Sequence, residues 1–590
     1  MIKVIITLFS TLLLISCSNT PYSNSLTAGL ELERIIQLEA DFRKSSSPFN
    51  NSKLAGNNAK LPDLSAQKLQ QNNSRLNKIY QKLQAINTDE LNNRQQINHA
   101  VLSYSLKNEL DSYRNKEHYM PLTAESGFHV WISSISSMIK MNSEQDYRDY
   151  LARLNALPKY FDQQMAWMDK GIEVGITQPK IVLNGFEQSI KAFIKDDVTQ
   201  SGYYIPFKNL PAHLSAQVKT ELQKQAKDVI QNKVMTSYQK YFDYMVNRYQ
   251  PNARKNIAAS SLPNGTTYYQ NRVNHYTTLT MSVDKIHQLG LKEVNRIRTQ
   301  MLAVIKKVGF KGNFAEFINF LRTDPQFYAK TPKDLLKEAS YIAKKMDGKL
   351  PSLFKTLPRT PYGIDPVPAN IAPKYTTGRY SGPSRDDQAG SYWVNTYRLD
   401  RRPLYVLPAL TLHEAVPGHH LQGSLAREMK NVPEFRNNTY ISAFGEGWGL
   451  YSEYLGIEAK IYENDYQEFG RLTYEMWRAC RLVVDTGMHA KGWSRKKAMT
   501  FLANNTALSL HNVKTEIDRY ISWPGQALSY KIGELTIKRL RKETELALGE
   551  KFDLRDFHDQ LLKNGSMPLS MLEKVVKKYI AEQKSNKKKV

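Results

Sequence analysis

The clearest periodic signal in the chain opens at Thr331-Pro332-Lys333-Asp334. A hydroxyl residue precedes a proline and an acid follows within one turn, the pattern of a capped helix start. Leu335, Ala339, Ile342, Ala343 and Met346 then recur three or four residues apart, so they line one stripe of a helix. Similar stripes predict helices around 145–172, 212–249, 282–308, 465–490 and 513–548. No repeat of fixed period stands out. Between about 350 and 405 the pattern breaks, because Pro351, Pro358, Pro361, Pro366, Pro368 and Pro373 interrupt any long helix. Within this stretch, residues 390–397 (Gly-Ser-Tyr-Trp-Val-Asn-Thr-Tyr) alternate and favour extended backbone, so they read as a strand or short hairpin. Helix resumes near Arg402. The expectation is a mainly α protein with a small β element just before its most informative segment.

Residues 44–75 are rich in Asn, Ser, Gln, Lys and Pro and read as a tether or loop. The 590 residues are 41% apolar and 23% charged, which excludes a disordered or collagen-like chain. Lys and Arg number 82 against 56 Asp and Glu, a formal net charge of +26. No helix-turn-helix, RNP, KH or zinc-finger pattern accompanies that charge, so nucleic acid is not expected as a partner. A basic exterior suits anionic headgroups, lipopolysaccharide or peptidoglycan carboxylates. Two cysteines, Cys17 and Cys480, exclude a Cys-rich zinc finger, a disulfide scaffold and a cysteine-held iron–sulfur cluster.

The chain begins Met-Ile-Lys, followed by an apolar run over Val4–Ile15. As a helix this run spans about 18 Å, short of the ~30 Å hydrocarbon core, so it reads as a signal-peptide core and not as a membrane anchor. Leu14-Ile15-Ser16-Cys17 resembles the bacterial lipobox, which implies cleavage before Cys17 and lipid on its thiol. The expected location is the bacterial cell envelope, on the periplasmic or outer-membrane side if the source has two membranes, with lipid holding the chain to the membrane. The expected organisation is a signal peptide over 1–16, a tether and first helix over 17–75, and a helical domain over 76–585. That domain divides into a helical lobe (76–350), a β element (351–401) and a metal-site lobe (402–585); residues 586–590 form a basic tail.

The informative segment is Leu412-His413-Glu414-Ala415-Val416-Pro417-Gly418-His419-His420-Leu421-Gln422. In H-E-x-x-H motifs two histidines four apart share a helix face and hold one zinc, with the Glu beside the activated water. Here proline stands at the fourth position, and the next histidines fall at i+6 and i+7. On an ideal helix the first is rotated by about 240°, and the second lies roughly 10.5 Å along the axis. Neither joins His413 on one ion unless Pro417-Gly418 distorts the backbone, which proline and glycine both favour. Three histidines and a Glu in so short a segment point to metal binding; satisfied or surface histidines beside a helix break are the other reading. Gly418-His419 resembles the end of H-E-x-G-H, which favours His419 as second ligand, with His420 the alternative. Glu446, flanked by glycines, is the third ligand expected; an exposed acid in a first helical turn is the other reading. Glu453, seven residues on along the same face, either receives an imidazole N–H from a ligand or pairs with an arginine.

Together with Gly390–Thr396, Glu446–Glu453, Asp485-Thr486-Gly487-Met488-His489, Arg519-Tyr520 and Pro524–Gly533, this segment resembles the bacterial family called domain of unknown function 885. The resemblance implies a large multi-helical fold akin to gluzincin metallopeptidases, with zinc held by His, His and Glu. The chemistry implied is peptide hydrolysis through a metal-activated water, with Glu414 as general base. Tyr530, His489 and Arg519 are candidates to steady the oxyanion, Arg519 also to grip a substrate carboxylate. Tyr530 as a packed aromatic and His489 as a partner of Asp485 are the structural alternatives. Asp485 is otherwise a supporting residue of the metal site. Residues 392–395 are expected either to pair with extended substrate or to serve as a plain sheet edge. Two other functions fit: a non-catalytic lipoprotein that binds peptide or cell-wall material, and a metal-dependent hydrolase of a non-peptide amide or ester.

Overall fold

A computed structural model describes residues 21–51, 59–138, 141–369, 371–383, 385 and 387–585. The signal-peptide reading, Cys17 and the basic tail lie outside the described residues. The structure is 71% helix, and its one described sheet has three strands, β1 (Tyr362–Pro366), β2 (Gly378–Ser381) and β3 (Gly390–Val394).

The helix over Pro332–Asp347 follows its sequence pattern. Thr331 caps it by accepting the Asp334 N–H, and the five stripe residues are its buried ones. Elsewhere local chemistry cuts the stripes. Leu157-Pro158 separates Glu144–Asn155 from Leu157–Val174. The 212–249 stripe starts only at Ala216, after its Ser215 cap, and passes through two wider π turns. The 513–548 stripe splits at Pro524-Gly525, where Gly525 has φ +83°, a left-handed conformation suited to glycine. Residues 44–75 are less loop-like than their composition predicts. The helix Pro21–Ser46 reaches into them, and Ala66–Gln84 begins within them, capped by Ser65 and buried through Leu76, Ile79 and Leu83. Together with part of Asn93–Arg114, these helices close a small apolar cluster beside the main core.

Seven helices build the site region: α1 (Val283–Lys307), α2 (Leu407–Glu414), α3 (His419–Arg427), α4 (Ser442–Glu458), α5 (Asp465–Ala490), α6 (Leu510–Ser522) and α7 (Ser529–Leu548). From Phe469 to His489, α5 is buried all round. Its charged residues are therefore paired. Arg471 donates to Glu475 at 2.9 Å, and Glu475 also receives Arg296 and Lys531. Lys531 further meets Glu293 at 3.2 Å and Glu534 at 2.9 Å. Such pairing is what makes charge tolerable in an apolar interior. Where α4 crosses α7, a Cβ on Gly447 would sit 2.5 Å from the Gly533 Cα, so the backbones touch.

In the sheet, β3 lies in the centre, parallel to β1 and antiparallel to β2. This corrects the expectation that residues 392–395 offer a free strand edge, since Tyr392–Val394 are hydrogen-bonded on both sides. Of the two edge strands, β2 touches the histidine segment through Tyr380, and β1 touches it through Tyr362. Gly390, Tyr392 and Val394 point inward, and the Tyr392 hydroxyl meets Thr411 of α2 at 3.4 Å, which seats the sheet against the helix carrying His413.

Gly533→Val is expected to cost about 2 kcal/mol or more by forcing α4 and α7 apart. Urea unfolding checks this; a midpoint equal to the parent's would contradict the crossing.

Candidate metal centre

α2 stops at Glu414 and α3 starts at His419, with a cis Val416–Pro417 bond between them. A Cβ at position 418 would overlap the carbonyl oxygens of Leu412 and His413, so only glycine lets the chain double back this closely. Trp448 of α4 pins the turn, its indole N–H donating to the Pro417 carbonyl at 2.8 Å. The turn swings His419 round to face His413. Their rings lie 4.8 Å apart at near right angles, and the Nε2 atoms of His413 and His419 lie 3.5 and 3.4 Å from one oxygen of Glu446. His413, His419 and Glu446 each aim one ligand atom into a space where all three lie within 4.8 Å of one another.

α4 passes beneath the His413 ring. Glu446 meets Nε2, and one turn after Gly449 the Glu453 carboxylate accepts the Nδ1–H at 2.8 Å. A Cβ on Gly449 would lie 2.7 Å from the ring, so this glycine lets the imidazole lie between the two acids. Glu453 also sits 3.3 Å from Arg478 of α5. Both sequence readings of Glu453, imidazole acceptor and arginine partner, therefore hold at once. Burial opposes a charge on His413, but the hydrogen bonds to Glu446 and Glu453 outweigh it and push its pKa up to about 10. Burial would likewise raise Glu446; its hydrogen bonds with His413 and His419 prevail and hold it well below the usual carboxylate range.

Glu414, the last residue of α2, is buried and accepts the Tyr380 backbone N–H of β2 at 2.8 Å. His420 turns away. Its Nδ1 meets the Tyr380 hydroxyl at 3.1 Å, its ring packs 4.4 Å from that of Tyr362, and burial lowers its pKa to about 4. It is outside the ligand cluster, so the alternative second ligand is not brought in. Tyr530 flanks the site, its ring nearly parallel to that of His413 at 6.4 Å. Arg519 is bonded to Gln526 at 2.8 Å and lies near Glu516 at 3.5 Å.

Two expectations are corrected. His489 accepts the Ala259 N–H at Nδ1 and donates to the Tyr520 carbonyl at Nε2, both at 3.0 Å, so neither nitrogen is free for substrate. Burial lowers its pKa to about 4. Along α5 it lies about 16 Å past Arg478, the residue that touches Glu453. Asp485 does not pair with it and does not support the histidines. It accepts from the Tyr269 hydroxyl at 2.6 Å and from the Gly525 N–H at 3.2 Å, and burial raises its pKa to about 7. The pair ties together the helices behind the site.

Sequence reasoning missed Tyr440, whose hydroxyl donates to the second oxygen of Glu446 at 3.1 Å, and the Tyr380 N–H that holds Glu414. It also missed Arg379, Arg478 and Arg481. Arg478 and Arg481, three apart in an otherwise apolar stretch of α5, were the available signal.

A family profile described as "Bacterial protein of unknown function (DUF885)" matches residues 48–576. The chain belongs to DUF885. Among solved structures, this DUF885 chain is similar to one described as a "putative lipoprotein" from Colwellia psychrerythraea. The two are 27% identical with a TM-score of 0.82, over 95% of this chain and 99% of that one. A second, a "putative lipoprotein of unknown function" from Shewanella oneidensis, is 16% identical with a TM-score of 0.69, over 94% and 98% of the two chains. At that identity the likeness concerns the fold alone. No curated protein matches the DUF885 chain. Among the described residues, no helix is long and apolar enough to cross a membrane.

His413 titrates far above its ordinary value of 6.5 in the folded protein. A raised histidine pKa contributes stability that is complete below pH 6.5 and lost as pH climbs through about 10. Chelator-treated protein is therefore expected to melt at progressively lower temperature across that window, and Glu446→Gln to flatten the trend. A flat parent curve would count against the carboxylate–imidazole contacts.

Proposed function

We propose that this DUF885 protein is a zinc-dependent peptidase related to the gluzincins, held to the bacterial envelope by lipid on Cys17. The carrying observation is the convergence of His413 Nε2, His419 Nε2 and the Glu446 carboxylate. Tetrahedral zinc with ligands at 2.0–2.1 Å needs its ligand atoms roughly 3.3 Å apart. The two Glu446 distances of 3.5 and 3.4 Å suit that demand. Two imidazoles and one carboxylate are also a donor set that zinc takes in hydrolases, with a fourth position left for water or substrate. Zinc held there would lower the pKa of a water and polarise the scissile carbonyl.

The protein's own groups supply the rest. Glu453 takes the Nδ1–H of His413 and so leaves Nε2 a lone-pair donor aimed at the cluster. Glu414 takes the proton of the attacking water and passes it to the leaving amine. The Tyr380 N–H fixes its carboxylate and leaves the other oxygen for the proton. Tyr530, beside His413, is the candidate donor to the carbonyl oxygen as charge develops on it.

The lipid anchor is supported by the Leu14–Cys17 string and by the description of the Colwellia structure. A non-catalytic binding lipoprotein would need no base, whereas Glu414 is buried and oriented beside the histidines. Hydrolysis of a non-peptide amide or ester would use the same groups, and a substrate panel separates it.

Glu414→Gln is expected to keep zinc and lose about 10²- to 10⁴-fold in kcat, while His413→Ala loses both zinc and turnover. Metal analysis with cleavage of a peptide library read by mass spectrometry checks this. Equal turnover by Glu414→Gln and the parent would refute the base assignment.

A further inference from the structure

Beside the metal centre, two arginines share one carboxylate. Arg481, only 1% exposed, has its guanidinium 4.4 Å from the Trp477 ring centre and 4.0 Å from that of Tyr530. It is held between aromatic faces, a setting that suits a planar, weakly hydrated cation. Its Nε donates to the Tyr520 hydroxyl at 2.7 Å and its Nη2 to Glu516 at 3.1 Å; Nη1 is buried with no hydrogen-bond partner. Arg519 reaches the same Glu516 oxygen at 3.5 Å, and the Tyr520 hydroxyl donates to it at 2.6 Å. One acid thus serves two guanidinium groups. Uncompensated charge is costly away from water, and an anion arriving nearby relieves it.

The excess lies next to the metal side. Tyr530, whose ring covers Arg481, also stacks beside His413, so a single ring separates guanidinium from ligand imidazole. Arg379 approaches from β2, next to Tyr380, and its charge acts on Glu414, Glu446 and Tyr530. Across the rim, the turn carrying exposed Glu125 is fastened to α6 by the Ala124 N–H, which donates to Ser522 at 2.9 Å. The Glu125 carboxyl lies within electrostatic reach of Arg519, Arg379 and Arg481 and offsets part of their charge.

We propose that Arg519, with Arg379 at the rim and the buried charge of Arg481 behind them, binds the free α-carboxylate of a peptide, so that the protein cuts peptides near their C-terminal end. This rests on the peptidase reading above. Water adds across the amide bond: the carbonyl carbon takes the hydroxyl, the leaving nitrogen takes the proton, and the substrate's terminal carboxylate stays unchanged and sets the register. The gap of one ring corresponds to very few extended residues between that carboxylate and the cut bond.

The test uses the zinc-loaded full chain carrying Glu414→Gln, titrated with a set of hexapeptides as free acids and as C-terminal amides. The acids are expected to bind about 10- to 100-fold tighter, as charge-assisted hydrogen bonds are worth. Adding Arg519→Gln, or Arg379→Gln at the exposed rim, should bring the acid-to-amide ratio toward one. Equal affinity for acid and amide, or binding of neither, overturns the proposal. Turnover by the parent chain tests the two readings separately. Cleavage of both forms alike at internal bonds removes the C-terminal reading and leaves the peptidase reading standing. Acid preference without any cleavage removes the peptidase reading and upholds the carboxylate site.

Discussion

The site depends on the His413 ring being gripped at both nitrogens. Glu453 holds Nδ1, Glu446 faces Nε2, and Gly449 leaves room for the ring between them. An imidazole fixed this way has one tautomer and one direction for its free lone pair once the proton on Nε2 is displaced. The geometry passes outward from there. Arg478 from α5 steadies Glu453, Trp448 from α4 holds the turn after Glu414, and the close return of Gly418 brings His419 into line.

The cost of the arrangement is charge inside a helical core. α5 is buried along most of its length yet carries Arg471, Glu475, Arg478 and Arg481. Each is placed against an opposite charge or an aromatic face. Glu475 and Glu293 are balanced by Lys531 and Arg296. Toward the histidines the balance differs, with acids collected around the imidazoles and arginines collected beyond Tyr530. Adjacent regions of opposite sign suit a cation on one side and an anion on the other.

Much of this was legible in the amino-acid order. The capped helix after Thr331 needed only local rules, since cap, proline and stripe agree. The convergence of His413, His419 and Glu446 was legible because Pro417-Gly418 flags a break and the three side chains are chemically matched. The choice of His419 over His420 follows from which way the chain leaves the turn, and His420 is drawn off by Tyr380 and Tyr362, far away in sequence. His489 and Asp485 misled because an i,i+4 spacing on a helix looks like a pair. Their real partners, Ala259, Tyr520, Tyr269 and Gly525, come from other segments and are stronger claims on a buried polar atom. Strand order was likewise beyond reach, because β2 adds to the sheet after β1 but takes the far side of β3.

The turn carrying Glu125 and the helix carrying Ser522 meet from distant parts of the chain, and Arg478 and Tyr530 come from two further helices. No short fragment holds a complete set of these groups. An incompletely folded chain therefore lacks the assembled cluster, which forms only when the last of these helices have docked.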